Sequence, residues 1–482
     1  MSQPAVTITE LDGALGVLPA SAGKLLALIG SASSGPKNQP ATFARTRDVI
    51  TTFGSGPLVE AACHALEVYG RPVVIVRTND TTAGAVGTPD DTGVTGTSEV
   101  TLSGVPDDDY ELAFKVITGG SRGVAGVTFV TSFDGGRTWS PVTALGTAST
   151  YAIPGAGTLA LDFGIGTLVA GDIVTSQTTG PQWNTTDLGA ALDALASSAV
   201  TWELCGIVGP IDAAAFDLLE VKLGSLHAAG KERAWIGNTR VPNAGESEAT
   251  YLAALNTIFA SKATVRGQLC AGACKLTSSV SGRKVRRPVS FSVAAVEASQ
   301  SEEVNAADVT LGGLVGVSIR DVNGNPDEHD ESINPGLDDA RFTVLRTWEG
   351  ESGVYINRPR IFSPDGSDYQ LLAHRRVMNL GHAALQSYFR RRLNKPVLVS
   401  AATGFILEEE ALEIEAGARE AMRALIMAKP KASAVTFALS RVDNLLSTKT
   451  LTGDARIVPL AYNEFINLTV GFLNPALQVQ AV

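Results

Sequence analysis

The chain has 482 residues, of which 44% are hydrophobic and 18% charged, and a formal net charge of −11 at pH 7. That length suits about three domains, and the acidic balance argues against a general nucleic-acid binder. The four cysteines, Cys63, Cys205, Cys270 and Cys274, are too few for a disulfide framework and fit a reducing compartment.

The opening stretch MSQPAVTITELDG lacks a basic region followed by an apolar core, so no signal peptide is expected. No apolar run approaches the ~18 residues of a membrane helix. Both features predict a soluble protein made in the cytoplasm, with no direct membrane contact. Residues 1–20 are polar and small around the alternating run AVTITEL, which carries Val6 and Ile8, and read as an arm or an edge strand.

KLLALIG then predicts a buried strand. Gly30 and Gly35 behind it have the spacing of a phosphate-binding loop. Pro36, however, stands where the lysine belongs, Lys37 comes one place late, and Asn38 replaces the hydroxyl. Proline has no N–H to offer a phosphate, so the stretch reads as a strand and a polar turn, and no nucleotide or other cofactor is expected. GPLVEAACHALEVYG predicts a helix ended by Gly70, and PVVIVR a β-branched strand. Strand, helix and strand in this order make an α/β unit.

Composition changes near Thr78. From 79 to 182 the chain is rich in Gly, Thr, Val and Ser, with short alternating runs such as YELAFKVI and GVTFVTS, which predict an inserted all-β, sandwich-like module. Helix–strand alternation resumes with TTDLGAALDALASS, expected to start at a capping threonine, and continues through WELCGIVG, DAAAFDLLEVKLGSLHAAG, RAWIGNT, SEATYLAALNTIFAS and VRGQLCAG. A mostly parallel sheet with covering helices follows. After about Leu345 come the longest helical patterns, and the alternating NEFINLTVGFL reads as a final strand. The expected class is α/β and α+β multi-domain: an N-terminal arm (1–20), the start of an α/β domain (21–78), the β module (79–182), the rest of the α/β domain (183–345) and an α+β C-terminal domain with a strand arm (346–482).

Candidate chemistry is thin. DVNGNPDEHDES aligns Asp321, Asn323 and Asn325 with calcium-loop ligands, but Pro326 replaces the turn glycine and Ser332 the bidentate glutamate. Cys270 and Cys274 have the wrong gap for a zinc knuckle, and the five histidines (His64, His227, His329, His374 and His382) are scattered, so no metal site is expected. SFDGGRTW, Ser132 to Trp139, resembles the Asp box of sialidases, a structural hairpin turn. No nucleophile elbow follows a strand, and no catalytic residues are proposed.

ALIGSASSGPKNQPATFARTRDVITTFGSGPLVEAACHALEVYGRPVVIVR resembles the N-terminal region of contractile tail sheath proteins. Ile29-Gly30, Gly35-Pro36, Asn38, Pro40, Phe53-Gly54, Gly70 and Val74 to Arg77 fall on that frame. INPGLDDARFTVLRTWEG resembles the link of the same family into its C-terminal domain, with Arg346-Thr347 at the family's Arg-Thr pair, although this chain has VLRT where GaRT is usual.

The resemblance implies a structural protein and not an enzyme. Such a subunit polymerises in six-membered rings around an inner tail tube, meets baseplate and tail terminator proteins, and contracts to drive the tube through a cell envelope. It implies assembly in the bacterial cytoplasm into a virion tail or a secreted contractile particle, with phage, tailocin and extracellular injection system left open. It implies inter-subunit strand arms bearing Val6, Ile8, Phe465, Ile466, Leu468 and Val470. It also implies a tube-facing basic helix bearing Arg375, Arg376, Arg390, Arg391, Arg392 and Lys395. In a helical projection, Leu371, Met378, Leu385, Phe389 and Leu393 make its apolar stripe, and Arg376, Asn379, Ala383, Gln386 and Arg390 lie on another face. Two other readings stand beside it: an α/β enzyme with an appended β module, and a non-contractile virion or surface protein with a glycan-binding insert.

Overall fold

The run Leu25–Gly30 is buried at every residue, as a strand covered on both faces must be. In the computed structural model, which describes residues 25–243, 245–321 and 323–472, it lies inside a six-stranded sheet. The order across that sheet is Gly267–Cys270, Ala234–Asn238, Trp202–Pro210, Leu25–Gly30, Val73–Arg77 and Ala41–Phe43. Five strands run parallel, and Ala41–Phe43 closes one edge antiparallel.

Six helices cover this sheet: α1 (Thr46–Phe53), α2 (Pro57–Tyr69), α3 (Thr185–Ser197), α4 (Ala213–Ala228), α5 (Glu248–Phe259) and α6 (Ser290–Ser299). Side-chain alternation sorts the strands between two cores. Leu26, Leu28, Val73 and Ile75 pack with α2 and α6, while Leu25, Ala27, Ile29, Val74 and Val76 pack with α3, α4 and α5. The helix ends are chemically set. Pro57 opens α2, and Gly70 closes it at φ 63° in the left-handed region. The start of α3 differs from expectation: Asn184, not a threonine, caps it, because its side chain accepts from Asp187 N while Asp187 accepts from Asn184 N.

Between Arg77 and α3, strands from Ala85–Val86 to Ile173–Thr179 form antiparallel sheets around Phe114, Phe129, Leu161, Phe163 and Val174. The SFDGGRTW segment makes a tight turn here. Asp134, fully buried, accepts from Thr138 N (2.8 Å), Thr138 Oγ1 (2.6 Å) and Ser132 Oγ (2.7 Å), and Trp139 lies against Gly136. Burial alone would raise the Asp134 pKa, but these donors hold it below its ordinary value.

The β strands are tied to the α/β core by buried charge as well as by chain connection. Arg287, on the strand Lys284–Pro288, gives Nη2 to Asp108 (2.6 Å) and Nη1 to Asp109 O (2.9 Å). Glu60 of α2 sits 4.0 Å from the same guanidinium. Lys275 reaches Glu111 at 2.6 Å, and its side chain is only 5% exposed.

Helix α7 (Leu372–Arg390) belongs to this first unit, which ends at Arg391. The expected boundary at 345/346 is therefore not where the compact units part; the reason is that α7 is anchored to the α/β core by buried arginines. The second unit begins at Arg392 and holds α8 (Glu408–Ile426) against the strand Ala432–Leu439, which pairs antiparallel with Gly453–Pro459. Ala411, Ile414, Ala418, Met422 and Ile426 line the buried side of α8. Among the described residues no helix is long and apolar enough to cross a membrane.

Because Arg287 is fully buried among carboxylates, Arg287→Ala is expected to cost about 3–5 kcal/mol by stranding buried negative charge. The double variant Arg287→Met with Asp108→Leu should recover most of that loss. Urea unfolding measures both, and a single-variant loss under about 0.5 kcal/mol, the scale of a surface change, would contradict the role assigned to this pair.

Candidate functional site

The basic helix was expected to present its arginines outward, but its first half is buried almost all round: Leu372, Ala373, Arg375, Arg376, Val377, Asn379 and Leu380 are all inside. Arg375 donates from Nη2 to Glu232 Oε2 at 2.7 Å. Arg376 donates from Nε to Glu203 Oε1 (3.0 Å), from Nη1 to Glu297 O (2.8 Å) and from Nη2 to Gln300 O (3.2 Å). Helix α6 ends at Ser299, so the last two acceptors are carbonyls of its final turn and of the residue after its end. Such carbonyls lack helical partners and carry the negative end of the helix dipole. Arg376 is thus an internal cap for α6 and a counter-ion for Glu203 of the central sheet.

Arg375 and Arg376 are therefore corrected from surface to interior groups. The assumed faces of the helix fail for the same reason. Asn379, placed on the basic face, is fully buried, whereas Leu393 of the apolar stripe is 70% exposed. Arg390 and Arg391 at the end of α7 are exposed, as is Lys395. Arg392, half-buried, pairs with Glu413 at 2.7 Å within the second unit.

In that second unit, Arg441 donates to both oxygens of Glu408 (2.7 and 3.0 Å) and to Glu415 (2.7 Å), which also accepts from Leu439 N. Those bonds fasten α8 to the end of the strand Ala432–Leu439. They also draw Glu408 and Glu415 below their ordinary pKa, with the side-chain bond from Arg441 as the largest cause.

The two-stranded sheet beside α8 has no third strand on either edge among the described residues. Residues 460–472 follow it and carry no strand, contrary to the alternation of NEFINLTVGFL. Phe465, Ile466, Leu468 and Val470 are 80%, 68%, 82% and 92% exposed. A strand needs a partner ladder, and the described part of one chain does not supply it there. Val6 and Ile8 lie outside the described residues.

The remaining candidates are structural. Gly35 is at φ 93°, and a Cβ there would lie 2.5 Å from the Phe53 ring. Its carbonyl accepts from Arg77, and Lys37 Nζ donates to Asn79 O, so the opening turn is tied to the end of the neighbouring strand. Asp321 accepts from the backbone of Asn323 and Asn325, both at 2.8 Å, closing its own loop. Cys270 and Cys274 are buried, and burial raises both thiol pKa values, that of Cys274 to about 12.

A cavity of about 460 Å³ opens at the carboxyl ends of the central strands, beside Trp183 and Phe291. The three arginines at its wall are already paired: Arg240 with Glu246, Arg286 with Glu328 and Arg287 with Asp108. Among the described residues, one set of potential metal ligands converges, His227, Glu232 and His382. Sequence spacing did not show it, because Glu232 and His382 are 150 residues apart.

No curated protein matches this chain in sequence. The family described as DUF2586, N-terminal domain, matches residues 3–360. Among solved structures, the chain is similar to one described as an extracellular contractile injection system, PVC sheath complex in contracted state. The two are 10% identical with a TM-score of 0.54, over 99% of each chain. A chain of the anti-feeding prophage (AFP) baseplate, six-fold symmetrised, is 10% identical with a TM-score of 0.51, over 98% of this chain and 100% of that one. Another, from the AFP baseplate in contracted state, is 13% identical with a TM-score of 0.50, over 98% of each. The fold is that of contractile injection system sheath proteins.

Removing an internal anchor and removing a surface charge should differ sharply. Arg376→Ala is expected to lose about 3–5 kcal/mol, because Glu203 is left buried without its partner. Arg390→Ala and Arg391→Ala should stay within about 0.5 kcal/mol of the parent. Thermal unfolding of the three variants side by side measures this, and equal effects would contradict the burial pattern.

Proposed function

The chain belongs to the DUF2586 family, and we propose that it is the structural subunit of a contractile tail sheath. It polymerises as stacked six-subunit rings around an inner tube and shortens to drive that tube through a target envelope. The observation that carries this reading is a sheet of only two strands among the described residues followed by an exposed apolar run. Among the described residues the hairpin Ala432–Pro459 has no third strand on either edge, and the chain leads out of it to the exposed Ile466, Leu468 and Val470. An open edge is a template for another chain. Strand addition from neighbouring copies satisfies the edge and the apolar run, through main-chain hydrogen bonds that persist while subunits turn. N-terminal residues including Val6 and Ile8 are assigned to the same role.

Such a subunit needs no catalytic group, nucleotide or metal for contraction, because the work comes from moving between two lattices of different buried contact. The tube is held by the basic residues that remain exposed, Arg390, Arg391 and Lys395. Exposed ion pairs are worth roughly 0–1 kcal/mol each, weak enough to release singly and strong when repeated over a lattice. Baseplate and terminator proteins bound the polymer at its two ends.

Deleting residues 460–482 should leave a folded protein that stays monomeric in analytical ultracentrifugation and forms no filaments by electron microscopy. Filaments of normal length from this truncation would contradict strand exchange at the C-terminal segment. Replacing Arg390 and Arg391 with glutamate should spare self-polymerisation yet abolish extended sheath on tubes at moderate salt. Tube-filled particles in normal yield would remove those residues from the tube contact.

A further inference from the structure

We propose that His227, Glu232 and His382 form a binding site for a divalent transition-metal ion of the zinc type, clipping the C-terminal end of α4 to α7. His227 stands in the last turn of α4, Glu232 in the segment after it, and His382 midway along α7. Both imidazoles aim Nδ1 at the same oxygen: His227 lies 2.6 Å and His382 2.8 Å from Glu232 Oε1. The three ligand atoms lie within 4.8 Å of one another, and the two rings are tilted by 32° with centroids 5.9 Å apart.

The spacing is close to what an ion requires. Zinc bonds of about 2.0–2.2 Å in tetrahedral geometry separate ligand atoms by about 3.3 Å, so each imidazole must retreat by about 0.5–0.7 Å. Both rings are free to do so, with side chains 38% and 39% exposed. The backbone beneath them is set. Gly230 holds the turn after α4 at φ 70°, and a Cβ there would fall 1.7 Å from Gln386 Nε2 of α7, so turn and helix are pressed together. Three protein ligands with solvent-exposed rings leave a fourth position for water.

The surrounding groups favour this donor set. Arg375 donates to Glu232 Oε2 at 2.7 Å, which fixes the carboxylate and leaves Oε1 turned to the imidazoles. Burial acts to raise the Glu232 pKa, but bonds and charge from His382, Arg375 and His227 hold it near 2, so the oxygen is ionised at neutral pH. Two imidazoles and one carboxylate beside a guanidinium suit zinc, nickel or copper and offer too few oxygens for calcium or magnesium. An imidazole that takes an ion at Nδ1 carries its proton on Nε2. No thiolate competes in the folded chain, because all four cysteines are buried.

The test is equilibrium dialysis of the full, tag-free chain against Zn²⁺ at pH 7.5, with metal analysis. One saturable equivalent per chain is expected. His227→Gln and His382→Gln should each weaken it by at least about 10–100-fold, the scale seen even for outer-shell partners of a metal. His374→Gln, on the same helix but outside the cluster, should leave binding unchanged. Circular dichroism verifies that each variant is folded. Absence of saturable binding below millimolar Zn²⁺, binding that survives both histidine variants, or equal loss in His374→Gln would each overturn the site.

Discussion

Arg376 is the interaction on which the arrangement of the first unit turns. Its guanidinium meets a carboxylate of the central sheet, Glu203, and carbonyls at the end of α6, Glu297 O and Gln300 O. One side chain thereby joins the sheet, a covering helix and α7. A charge so buried is tolerated only when it is paired, and this makes the docking position of α7 narrow. Arg375 repeats the device one residue earlier against Glu232, and Arg287 repeats it where the β strands after Arg77 meet the core. Hydrophobic burial builds the two cores on either side of the sheet, while these paired charges set how the added elements lie on them.

The same devices explain what was legible in the sequence. LLALIG, the helix ended by Gly70 and the turn around Asp134 depend on neighbours a few residues away, and each is present in the structure. The fate of Arg375 and Arg376 depends on Glu232 and Glu203, which are 143 and 173 residues distant. A helical projection shows which residues share a face, but not which face another element will cover. Leu393 and Asn379 were therefore read inside out. The convergence of His227 and His382 was hidden for the same reason. The segment after Pro459 was a different case: its alternation records a preference for strand, and a strand becomes real only with a partner edge.

These features together separate a firmly built unit from one with unfinished pairing. The parallel sheet carries six helices on its faces, and the antiparallel strands after Arg77 enclose a core of their own. The hairpin beside α8 has only two strands among the described residues, and Ile466, Leu468 and Val470 beyond it are exposed. In the sheath role proposed above, this division supplies rigid bodies that main-chain ladders join while tolerating rotation.

The most direct test of that account is cryo-electron microscopy of the self-assembled protein at a resolution that traces strands. The account predicts a helical lattice of six-subunit rings in which the hairpin Ala432–Pro459 is enlarged by strands from neighbouring copies, residues 460–472 among them. A discrete oligomer, or a polymer whose hairpin remains two-stranded with that segment in solvent, would contradict it.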